Sequence, residues 1–139
     1  MVVLKAHDFQ VLLSLLRLDG GSDGGIQWTT CSLEVQELDQ HFSTSGSWLT
    51  LDEWFNVRDL LLMPEHKSHR VDCIEPNISL ELRSDSSLKI TLDLEAIPIW
   101  RKDSISFIFE LPYKMRLEQG HRLDERLSRL TKLPKAEKI

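Results

Sequence analysis

Between Ile78 and Leu111 the chain alternates apolar and polar side chains with a period of two. Ile78, Leu80 and Leu82 alternate with Ser79, Glu81 and Arg83. Leu88, Ile90, Leu92 and Leu94 alternate with Lys89, Thr91, Asp93 and Glu95. Ile105, Phe107, Phe109 and Leu111 alternate with Ser104, Ser106 and Glu110, and only Ile108 breaks the polar side. Successive strand side chains point to opposite faces, so each run predicts a strand with one buried and one wet face, the antiparallel pattern. Asp85-Ser86-Ser87 predicts a short hairpin loop between the first two. Residues 28–38 read the same way, with Cys31, Leu33 and Val35 on one parity. Residues 9–19 are apolar on both parities, which fits a strand covered on both faces. A helix competes there, because leucine is a good helix former. Gly20 to Gly25 holds four of the six glycines and predicts a flexible loop.

Two segments read as helices. In Leu49-Thr50-Leu51-Asp52-Glu53-Trp54, Thr50 can cap the free amides and Glu53 can reach back to it. Leu49 and Trp54 occupy the staple positions, and Pro64 stops the helix near Leu62. Its expected apolar stripe is Leu51, Trp54, Phe55, Leu61 and Leu62. A second helix is expected over residues 115–132, with Leu117, Leu123, Leu127 and Leu130 inward. Gly120 should weaken it by roughly 1 kcal/mol relative to alanine, and Pro134 lies just past its end. Strands then helix, twice over, predicts an α+β fold with a largely antiparallel sheet and two packed helices. The repeated order raises duplication as a reading, although no residue-level similarity joins the halves.

At 139 residues a single domain, 1–139, is expected, with a core that needs neither disulfide nor metal. The net charge of −5 argues against a general nucleic-acid binder. His7 and Asp8 interrupt any secretion signal, and no run approaches the roughly 20 apolar residues of a membrane span. A cytoplasmic protein is therefore expected, without membrane partners.

The usual chemical motifs are missing. There is no phosphate loop, GxSxG elbow or HExxH. His66 and His69, with Glu65 and Cys73, can be drawn as a metal cluster, but a solvated loop after Pro64 explains them better. Cys73 shares the parity of Val71 and lies four residues from His69, about 13 Å along a strand, so an inert buried thiol is expected rather than a nucleophile. Cys31 reads likewise. Asp93 and Glu95 can be drawn as acid/base partners, or as solvated charges on a wet face. No cofactor is expected.

Two clusters go beyond pattern. Glu75-Pro76-Asn77 opens a strand with a rigid corner, and Glu95-Ala96-Ile97-Pro98-Ile99-Trp100 ends the next with a proline and an aromatic anchor. The "EPN" corner, the hairpin, the Glu-x-x-Pro-x-Trp end and a C-terminal amphipathic helix with Leu-Pro resemble the WapI-type immunity proteins. The Trp-containing strand and the "Leu-Thr-Leu-Asp-Glu-Trp" helix start also fit, and the resemblance spans roughly residues 26–134. It favours strand over helix for residues 9–19. It implies a small bacterial cytoplasmic protein that neutralises a nuclease toxin by direct binding, with no catalytic residues. Glu75, Asn77, Glu95 and Trp100 then serve to hold the corner of the sheet.

Charge distribution argues separately. Residues 114–138 carry eight bases and four acids, and residues 1–113 carry nine bases and 18 acids. An acidic body suits a basic partner such as a nuclease domain. The expected partner-binding residues are Glu81, Asp93 and Glu95, which share one solvent face if residues 78–83 pair in register with residues 88–95. Two competing readings are an enzyme using Asp93, Glu95 and a histidine, and a regulatory subunit that docks its basic C-terminal helix on another chain.

Overall fold

The computed structural model describes residues 2–6, 8–20 and 24–132. Two four-stranded antiparallel meanders, each followed by a helix, make the α+β architecture. The first sheet runs β1 (Val2–Lys5), β2 (Phe9–Leu18), β3 (Trp28–Glu37), β4 (Gln40–Thr50) and leads into α1 (Leu51–Leu61). The second runs β5 (His69–Asp72), β6 (Ile78–Leu82), β7 (Ser87–Leu92), β8 (Ile105–Glu110) and leads into α2 (Tyr113–Thr131). The inner faces of both sheets and both helices share one buried cluster, from Val2, Val11 and Leu33 to Leu80, Phe109 and Leu127. Phe9 of β2 packs against Phe107 and Phe109 of β8, each at 5.0 Å between ring centroids. Among the described residues no helix is long and apolar enough to cross a membrane.

The capping box forms as the sequence predicts. Glu53 N–H donates to Thr50 Oγ1 at 3.1 Å, and Thr50 N–H donates to Glu53 Oε1 at 2.8 Å. The second Glu53 oxygen accepts from Ile74 N–H at 2.7 Å, so one buried carboxylate holds both the helix start and the turn after β5. Leu49 and Trp54 are both buried, and Trp54 Nε1 donates to the Thr29 hydroxyl, which donates in turn to the Leu49 carbonyl. The buried stripe of α1 also includes Val57 and Leu60, while Leu51, Phe55 and Leu62 lie half-buried.

Several expectations need correction. Strand β2 is covered on one face only: Val11, Leu13 and Leu15 are buried, Leu12 is half-buried and Leu16 is exposed. The outer face pairs Leu12 with Glu34 and Ser14 with Ser32, a polar row with no helix laid over it. Strands β1, β4 and β5 lack the alternation that marks the others: β1 and β5 have four residues each, and β4 is rich in Ser, Thr and Gly. The expected strand over residues 88–95 ends at Leu92, because Leu94–Ala96 coils into a 3-10 turn. Gly120 is no weak point: it sits where α2 crosses α1. A Cβ there would lie 2.6 Å from Leu62 Cδ2 and 3.1 Å from Leu61 Cβ. The roughly 1 kcal/mol of lost helix propensity is offset by a helix approach no side chain permits. Pro134 lies outside the described residues.

Candidate functional site

The "EPN" and "Glu-x-x-Pro-x-Trp" segments lie on neighbouring turns at one end of the second sheet. Because Ile78 pairs with Leu92, the chain before β6 and the chain after β7 emerge side by side. Asp93 N–H donates to the Asn77 carbonyl at 2.8 Å and joins them. Asn77 is buried, Pro76 rigidifies the approach, and Asp93 Oδ1 accepts from Leu94 N–H at 2.8 Å. This cap starts the 3-10 turn and holds Leu94 at a φ of 51°, a left-handed backbone uncommon for leucine.

The loop then runs to Trp100 and Arg101, which clasp the β3–β4 hairpin. Trp100 Nε1 donates to Glu37 Oε1 at 3.0 Å. The Arg101 guanidinium forks onto both Glu37 oxygens, at 3.1 and 2.6 Å. The Trp100 ring meets Phe42 edge-on at 6.3 Å, and Pro98 is buried beneath the turn. Trp100 is thus the anchor the sequence suggests. Glu95 takes no part in the corner and is exposed. Leu38, beside Glu37, has a φ of 53°, and its N–H donates to the Asp8 carbonyl at 2.9 Å.

What these turns present is apolar and acidic. Ile99 is 86% exposed, Leu38 75% and Leu94 57%, far above the core residues beside them. Residues 37–39, 73–77 and 93–104 carry six acids (Glu37, Asp39, Glu75, Asp93, Glu95, Asp103) against two bases, Arg101 and Lys102. Exposed apolar side chains grouped within a polar rim are a feature of protein-interaction surfaces. Sequence reading missed the apolar members. Leu94 continues the period of β7 and looks like core, and exposure of Leu38 and Ile99 follows from turn geometry.

The three expected binding residues do not form one strand row: Glu95 lies in the 3-10 turn, and Asp93, still extended, lies just past the end of β7. Asp93 and Glu95 lie on this loop. Glu81 lies within the second sheet, in a row that runs Arg70, Glu81, Lys89 across three strands. Arg83 Nε is 3.2 Å from its carboxylate and Arg70 Nη1 is 3.7 Å away. The register matches the expectation, but β7 stops before Asp93, about four strand residues or 13 Å from the Glu81 row. That wet face carries Arg70, Arg83 and Lys89 against Asp72, Glu81 and Glu110, so it is balanced rather than acidic. Glu81, His69, Arg70, Arg83 and Asp85 line a cleft of about 650 Å³.

The other candidates are dispersed. No hydrogen bond among the described residues joins a histidine to Asp93 or Glu95. His66 lies beside Glu65 in its loop, and among the described residues no three His, Cys, Asp or Glu side chains group as metal ligands. Burial, with the nearby Glu53 charge, pushes the Cys73 thiol up to about 12, so it stays protonated near neutral pH. Burial raises Cys31 as well. In the basic helix, Arg116 and Arg126 are already committed to carbonyls of the fold.

The clasp is pH-dependent in a defined direction. Hydrogen bonds from Arg101 first, and from Trp100, hold the Glu37 carboxyl below the ordinary value of 4.5, against the opposing effect of burial. A depressed carboxylate contributes stability that is complete above its unfolded value and is lost as pH falls through the folded one. Glu37→Gln should therefore flatten the loss of stability between about pH 5 and 3, read from urea midpoints at several pH values. Equal slopes in the two proteins would place that loss elsewhere. Comparison of the chain with family models, with curated proteins and with solved structures gave no match.

Proposed function

We propose that this chain is a non-enzymatic binding protein of the immunity type, which occludes a basic nuclease toxin domain with the turns around Asp93–Ser104. One observation carries the reading: three stitched turns present Leu38, Leu94 and Ile99 to solvent within an excess of acids. The apolar side chains supply desolvated anchors, and the acids supply attraction toward Lys and Arg in a cleft that holds nucleic acid. The Glu37 clasp and the Asn77–Asp93 bond pre-order the loop, so less conformational freedom is lost on docking. Excluding the substrate this way needs no chemistry from the bound chain. The sequence resemblance points in the same direction.

The test is stoichiometric inhibition of a purified basic nuclease toxin domain, with heat stability of the mixture followed in parallel. Wild-type chain should abolish cleavage near one equivalent. Ile99→Ser should weaken inhibition at least about tenfold, the usual effect of losing a central anchor, with its own unfolding midpoint unchanged. Inhibition that ignores Ile99→Ser would remove these turns from the interface. Among the competing readings, the cleft beside Glu81 is the place where an enzyme would look for its substrate.

A further inference from the structure

Each sheet has two outer strands, and three of the four edges are short or covered. At β1, the Gln119 side chain of α2 acts as a surrogate strand: its Oε1 accepts from Val3 N–H at 2.8 Å and its Nε2 donates to the Val3 carbonyl at 2.7 Å. Strand β5 has four residues, two of them charged. Strand β8 has six residues and ends at Glu110, just before Pro112. Strand β4 differs from all three. It has 11 residues, and between Gln40 and Ser47 no backbone or side-chain group among the described residues bonds its outer edge. Residues 40–50 contain no Lys, Arg, Asp, Glu or Pro. Proteins that stay single usually guard such an edge with those residues.

We infer that β4 pairs with β4 of a second copy, antiparallel about a two-fold axis at Thr44. The sequence is self-complementary about that point. Ser43 of one copy meets Ser45 of the other, small hydroxyls on the exposed face, while on the inner face Phe42 and Gly46 keep their own partners, Trp100 and the Trp48 indole. His41 meets Ser47, so no like charges oppose along the seam. The irregularity where Thr29 pairs with Leu49 but Cys31 with Gly46 ends the regular run, so its centre falls beside Thr44. The pairing is isologous and consumes the open edge, and Gln119 closes the far side of each sheet, so growth stops at two copies. The product is one continuous eight-stranded sheet. The two hairpins that carry Leu38 then lie roughly 40 Å apart, at about 3.4 Å per residue on either side of the axis.

The experiment is sedimentation of the full chain across a concentration series, with two double variants at exposed positions. Wild type should reach twice the 16.1 kDa chain mass. Ser43→Lys with Ser45→Lys sets two pairs of like charges opposite each other and should raise the dimer dissociation constant at least about tenfold. Ser43→Lys with Ser45→Glu sets opposite charges across the same seam and should keep the dimer. Far-UV spectra and melting of both variants check that the fold is retained. A monomeric wild type, assembly beyond two copies, or two variants that behave alike would each overturn the inference.

Discussion

Replacing Arg116 with alanine is expected to lower stability by about 3 kcal/mol, since buried carbonyls stripped of a charged donor cost roughly 1–3 kcal/mol each and relief of the buried charge offsets part of that. Arg116 is on α2 yet serves α1. Its Nη1 donates to the Leu61 and Met63 carbonyls, each at 2.9 Å, and lies 3.3 Å from the Leu60 carbonyl. Leu60 and Leu61 lie in the last turn of α1, where a helix leaves carbonyls without intrahelical partners and a cation suits the dipole, and Met63 follows the C-cap Leu62. The Tyr113 ring lies 5.0 Å from the guanidinium carbon. Burial still lowers the Arg116 pKa, and its Nε has no partner among the described residues. Arg116→Lys keeps the charge but not the spread of donors and should recover part of the loss. Urea unfolding of the three proteins checks this. A loss below about 1 kcal/mol in the alanine variant, no more than one ordinary hydrogen bond, would show that α1 ends without it.

The helices and strands β6, β7 and β8 were legible in the sequence because their residues carry local signals. Thr50 and Glu53 state a helix start within four residues, and Ile78 to Leu82 and Ile105 to Phe109 state a half-buried sheet. Strand β4 was not legible. Ser43, Thr44, Ser45 and Gly46 have no apolar period, and their extended form comes from pairing with β3 and from Trp48, whose indole lies against Gly46. The role of Gly120 is illegible for a related reason: local propensity carries no trace of a helix crossing. The candidate site was half legible. Asp93, Glu95 and the proline corners stood out, but grouping them with Glu81 assumed that β7 continues through Glu95. The left-handed backbone at Leu94 breaks that strand, and Arg70, Arg83 and Lys89 neutralise the face on which Glu81 remains.

The second large effect concerns binding. Asp93 and Glu95 lie on the acidic loop and form no salt bridge among the described residues. Asp93→Asn with Glu95→Lys changes the loop charge by three units, while an amide oxygen can still accept from Leu94 N–H and Glu95 is exposed. Electrostatic steering at low salt accelerates association by roughly 10- to 1,000-fold, and screening beyond a Debye length of about 10 Å at 0.1 M removes most of it. Glu81→Lys serves as the comparison, because Glu81 is ringed by its own cations. The decisive measurement is the association rate with a basic nuclease toxin domain, at low and at high salt, for wild type and these two variants. Wild type and Glu81→Lys should associate fast and with strong salt sensitivity. The loop double variant should associate at least about tenfold more slowly and nearly independently of salt. A double variant that associates as fast as wild type, or a loss confined to Glu81→Lys, would rule out docking through this loop.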